Sequence, residues 1–91
     1  MKKYIIERHV DGIGASSDDD LRAGAKQSNA ALVAVGPGVQ WQQSYVVDDM
    51  TYCVYLAENE ELIRAHAQQS GFPADRIQEV RSMFDPSTGH D

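Results

Sequence analysis

Glu7 and His9 stand two residues apart in a run of strand-forming residues, and the chain adds one cysteine, Cys53, a further histidine, His66, and a late carboxylate, Glu79. Imidazole, carboxylate and thiolate are donors that suit nickel, zinc or copper when they converge on one point in deprotonated form. No Cys-x-x-Cys, His-x-x-x-His or His-Glu-x-x-His spacing is present, so the fold rather than a local motif must bring them together. The same residues have plainer readings. Glu7 and His9 form a solvated or interface hydrogen-bonding pair, and Cys53 is a small buried hydrophobe. His66, three after Ile63 and four after Leu62, packs on the inner edge of a helix.

The elements that must position these groups are legible in outline. Residues 3–9 read as a strand, ending before the Asp11-Gly12-Ile13-Gly14 loop. Ser16 or Ser17 offers an N-cap, Asp18, Asp19 and Asp20 sit at the positive end of a helix dipole, and Leu21, Ala25, Ser28, Leu32 and Val35 recur at helical spacing. The spacing predicts a helix over 17–35, closed by Gly36-Pro37-Gly38. Residues 39–47 and 50–57 are two strand-like runs whose Asp48-Asp49 connection implies an antiparallel hairpin. Asn59 caps a second helix through Ser70, with Gly71 and Pro73 beyond its end, and residues 77–84 make a fourth strand. Residues 1–86 thus form one domain and 87–91, with His90, a flexible tail.

The order β-α-β-β-α-β predicts an α+β ferredoxin-like fold: a four-stranded antiparallel sheet, spatial order 4-1-3-2, with both helices on one face. Assigning the apolar Val46, Val54, Leu56 and Val80 to the helix-covered face sends their neighbours the other way. Trp41, Gln43, Tyr45, Cys53, Tyr55, Glu79 and Arg81 then share an open face with Glu7 and His9. An aromatic surface of that kind marks an interface or a pocket, and a second copy closing over it would complete one.

Composition narrows the classes. At 91 residues the chain has room for one core, and a domain this small buries only about 60% of its unfolded surface, a shortage that dimerisation relieves. The net charge of −6 makes nucleic acid and anionic membranes poor partners and cations natural ones. A lone cysteine excludes an internal disulfide, and the N-terminus has no apolar signal-peptide core, so a cytoplasmic location is expected. Gly12-Ile13-Gly14-Ala15-Ser16-Ser17 imitates a dinucleotide loop, but its sixth position is Ser17 and the following strand enters a hairpin instead of a parallel βαβ unit.

Four segments carry a resemblance: Tyr4–Arg8, Trp41–Val47, Tyr52–Tyr55 and Gly71–Arg81, of which Gly71–Arg76 is the most specific piece. In these the sequence resembles small bacterial ferredoxin-like proteins grouped as a domain of unknown function and described in part as nickel-binding. The resemblance implies a dimeric ferredoxin-like fold, a cytoplasmic bacterial protein, and Ni²⁺ binding without established catalysis. The leading expectation is a homodimeric protein that sequesters or senses nickel through His9, Glu7, Cys53, His66 and Glu79. The alternative is a small dimeric enzyme of isomerase or oxygenase type, with Trp41, Gln43, Tyr45, Tyr55 and Arg81 lining a pocket for an organic molecule.

Overall fold

The computed structural model describes residues 1–90. Its elements are β1 (Lys2–His9), α1 (Asp18–Val35), β2 (Val39–Val46), β3 (Met50–Ala57), α2 (Glu60–Ser70) and β4 (Arg76–Glu79). The strands form one antiparallel sheet in the order β2-β3-β1-β4. This is the expected ferredoxin-like α+β architecture, read from the opposite edge.

Local chemistry explains most boundaries. The Ser17 hydroxyl accepts from the Asp20 N–H while the Asp20 carboxylate accepts from the Ser17 N–H, a reciprocal cap that fixes the start of α1. Asn59 Oδ1 accepts from the Leu62 N–H at 3.0 Å and starts α2, which Gly71 ends with φ at 79°, a conformation glycine adopts without a Cβ penalty. The β2–β3 turn closes through Val47 N–H donating to Met50 O, and it also anchors the loop after β1. There Gly14 N–H donates to Asp48 O at 2.9 Å, and a Cβ on Gly14 would lie 2.6 Å from Val47 O. Only glycine permits that approach.

The fourth strand is shorter than the expected 77–84. Val80 N–H makes a final bond to Lys3 O, and the ladder with β1 ends there. Asp85 caps a short 3-10 turn at Pro86–Gly89. The tail expected over 87–91 therefore includes an ordered turn, while its last residue lies outside the described ones.

The faces of the sheet require a correction. The core is Tyr4, Ile6, Val39, Cys53, Tyr55, Ala57 and Ile63, so Cys53 and Tyr55 point toward the helices, and Val54 and Leu56 point away from them. Register confirms this: Ile6 pairs with Cys53 and Tyr4 with Tyr55, whereas Ile5 pairs with Val54 and Glu7 with Tyr52. In β2 the register shifts between Trp41 and Gln43. This bulge inserts Gln42 and breaks the alternation, so Trp41 pairs with Tyr55 on the helix side and Gln43 pairs with Val54 on the open side. Trp41 Nε1–H spans the bulge to donate to Ser44 Oγ at 2.9 Å.

Deleting Gln42 should remove the bulge and leave a regular strand in which Trp41 still pairs with Tyr55 and Gln43 with Val54, so that Val39, now 3% exposed, and Trp41 stay in the core. Thermal melts should then show cooperative folding retained in the deletion, and its loss would show that the bulge itself is needed. Gln42→Ala, which keeps the residue count, should stay within about 0.5 kcal/mol of the parent.

Candidate functional site

The five candidate donors do not gather on one face. Glu7 lies on the open face, its Oε2 3.7 Å from Arg76 Nε. His9 stands at the end of β1, where Nε2 lies 2.8 Å from Asp11 Oδ1 and the backbone N–H donates to Asp75 Oδ2 at 2.6 Å. Cys53 and His66 are buried on the helix side, 4% and 0% exposed. Glu79 pairs in register with the buried Tyr4, which places it on the helix-side edge rather than the open face, and its Oε2 lies 3.3 Å from Arg81 Nη1. Among the described residues no three histidine, cysteine, aspartate or glutamate side chains form a metal-holding group. The expected donors therefore offer no closed coordination shell for nickel among the described residues. His9 and Asp11 are the imidazole and carboxylate that stand together and open to solvent.

The expected open-face pocket also divides. Gln43 and Tyr45 are on that face and exposed, with Gln43 Nε2–H donating to the Tyr45 hydroxyl at 3.2 Å. Trp41 and Tyr55 face the helices, and Arg81 lies beyond β4 on the surface. What remains open is a largely apolar sheet surface that includes Ile5, Tyr45, Tyr52, Val54 and Leu56.

The helix side holds a pocket of about 450 Å³ between α1 and the sheet. Its walls are mostly apolar, with Trp41, Tyr55 and Phe72 as aromatic members and Gly24 and Ala25 leaving room on α1. One cation lies in this wall: Arg8, 4% exposed. Its Nε–H donates to Pro73 O at 2.7 Å, its Nη1–H reaches Cys53 Sγ at 3.7 Å, and its carbon sits 5.7 Å from the centre of the Tyr55 ring. Nη2 is buried without a hydrogen-bond partner. Sequence reasoning passed over Arg8 because a charged type argues against burial. Its parity with Tyr4 and Ile6 on one strand was the available signal.

Behind Tyr55 lies His66, with ring centres 5.3 Å apart. Its Nε2 is 3.2 Å from Ser28 O and 3.3 Å from Ser28 Oγ. A carbonyl only accepts, so Nε2 carries the proton of a neutral ring, and Nδ1 is left buried without a partner. Burial pushes the His66 pKa down. The Ser28 carbonyl opposes that shift, and the Arg8 charge adds to it. Burial likewise pushes the Tyr55 phenol up, with Arg8 pulling it partly back, so Tyr55 stays protonated at neutral pH.

These directions set a pH dependence. Because folded His66 titrates below its unfolded value of about 6.5, the unfolded chain binds the extra proton first, and stability should fall as pH drops from about 7 through that value. His66→Gln should flatten this acid limb in denaturant titrations at stepped pH. An unchanged limb would show that another group governs it.

The fold and the site can now be set beside known proteins. The family profile described as nickel responsive protein SCO4226-like matches residues 4–80. No curated protein matches the sequence. The crystal structure of SCO4226 from Streptomyces coelicolor A3(2) is similar, with a TM-score of 0.73 at 20% identity, covering 90% of this chain and 99% of that one. That likeness speaks for the fold. The profile match runs from β1 through both helices to the end of β4, and by it the chain belongs to the family described as nickel responsive protein SCO4226-like.

Proposed function

We propose that this protein binds nickel in the cytoplasm, to sequester or sense it without carrying out a reaction. The observation that supports this reading is the His9–Asp11 pair, 2.8 Å apart and open to solvent, in a chain whose family is described as nickel responsive. Imidazole nitrogen suits nickel, and a carboxylate beside it lowers the cost of bringing a dication to the surface. Asp11 enters the site as a residue that the sequence did not single out. Glu7, two residues back on the same face, is held near Arg76 and is a secondary donor. Cys53 and His66 lie in the core, away from the solvated metal, and Glu79 is occupied with Arg81. Water and a second copy of the chain supply the remaining coordination.

The second copy belongs to the same reading. The open sheet face is too apolar to suit bulk water, and a chain of this length gains from covering it.

Titrating Ni²⁺ calorimetrically into chelator-stripped protein, with Zn²⁺ and Mg²⁺ in parallel, tests the proposal. His9→Ala should weaken nickel binding at least tenfold, about 1.4 kcal/mol, and Asp11→Asn should weaken it less. Sedimentation of the same samples should show a dimer. Absence of any nickel binding overturns the reading, and binding untouched by His9→Ala moves the site elsewhere.

A further inference from the structure

Beyond the nickel reading, and on the opposite face of the sheet, we propose that the pocket between α1 and the sheet is a binding site for a small monocarboxylic acid with an apolar, preferably aromatic, body. Arg8 carries an uncompensated charge. Arg8 is 4% exposed, no carboxylate pairs with it among the described residues, and its Nη2 is buried without a partner. A guanidinium cannot escape this cost by losing its proton. Its present neighbours are a carbonyl, a thiol and an aromatic ring, which offer dipoles rather than a counter-charge. An anion seated against that wall would supply the missing charge, and the low dielectric around it strengthens the attraction even without direct contact with Nη2.

Shape and lining specify the rest of the molecule. About 450 Å³ falls within the usual range of small-ligand pockets, and apolar walls with a few convergent polar groups are the usual chemistry of such sites. Trp41, Tyr55 and Phe72 provide flat apolar surface for a ring. Ser44 Oγ, which accepts from Trp41, and Thr51 Oγ, which accepts from Cys53, hold two walls in place. The other charged residue in the lining is Asp20, an exposed carboxylate that accepts from Ser17 N–H in the cap of α1. A negative group at the mouth repels a second carboxylate, so a monoacid is favoured over a diacid.

Gly24 adds an independent indication. A glycine within an α-helix is destabilising relative to alanine. Yet φ at Gly24 is not positive, and the nearest atom to an added Cβ is Phe72 Cζ at 3.9 Å. Neither backbone conformation nor crowding requires glycine here; its effect is to widen the pocket.

Trp41, the only tryptophan, lines the pocket and reports on it directly. Benzoate, phenylacetate and hexanoate should each be titrated into the metal-free protein while Trp41 fluorescence and the thermal midpoint are followed, with benzamide as the uncharged control and phthalate as the diacid. At least one monoacid should give a saturable change and raise the midpoint, with the benzoate–benzamide and benzoate–phthalate ratios at least tenfold. Arg8→Gln should abolish the preference for benzoate over benzamide. Gly24→Leu, which fills the pocket and leaves Arg8 in place, should abolish binding of both, so the proposal stays testable should the Arg8 variant fail to fold. No saturable response to any of the three acids up to millimolar concentration, equal binding of benzoate and benzamide, or unchanged binding in Gly24→Leu would overturn the proposal. Because metal is absent and His9 is unaltered, none of these outcomes depends on the nickel site.

Discussion

A full positive charge lies inside the one core of this protein, and much of the helix-side structure is arranged around it. Moving an ion of this size out of water costs several kcal/mol even after relaxation, and Arg8 offsets that cost with dipoles rather than with a carboxylate. The Pro73 carbonyl is one of those dipoles, so the Gly71-Phe72-Pro73 segment is tied across the sheet to β1 through a single bond of 2.7 Å. The Tyr55 ring is another, and burial keeps its phenol neutral beside the cation. His66, on the far side of Tyr55, is also held neutral, by burial first and by the nearby Arg8 charge in addition. Arginine, tyrosine and histidine thus form one polar layer within an apolar core. Burial keeps the tyrosine and the histidine neutral beside the permanent charge of the arginine.

How much of this could be read from the sequence depends on how one-sided each local signal was. Ser17 and Asn59 are strong caps followed by acidic first turns, so both helices were placed to within a residue. The Asp48-Asp49 turn and the two strands beside it were equally clear. Strand phase was not. In β3 both alternating sets are apolar, Cys53-Tyr55-Ala57 on one side and Val54-Leu56 on the other, and the branched set is the one that faces away from the helices. The β2 bulge leaves no mark in the pattern, because Trp41, Gln43 and Tyr45 look like one face of a regular strand. Phase errors in these two strands carried Trp41, Cys53 and Tyr55 to the wrong side of the sheet, and with them the idea that all the donors meet.

Family membership and site geometry bear on different links of the argument. The family description concerns response to nickel, and a response does not require a closed cage within one chain. A hydrated cation held by an imidazole and a carboxylate can exchange, which suits sensing better than a buried structural site would. The helix-side pocket has opposite properties: its walls are mostly apolar, with the buried Arg8 cation on one side and the exposed Asp20 carboxylate on another. The sheet therefore separates a solvent-exposed rim that carries His9 and Asp11 from a mostly apolar interior that carries Arg8, and no side chain is shared between them.

The position of Cys53 has a further consequence. It is the only thiol in the chain, it is 4% exposed, and it sits in the central strand pair against Ile6 and beneath Arg8. A thiol so placed meets reagent through the pocket it lines or when the sheet and α1 separate, so its rate of alkylation reports access to that pocket and the population of the opened protein. Oxidants encounter the same barrier. While the domain is closed, its one thiol is reached only by way of the pocket, whereas the exposed thioethers of Met1 and Met83 meet oxidant directly.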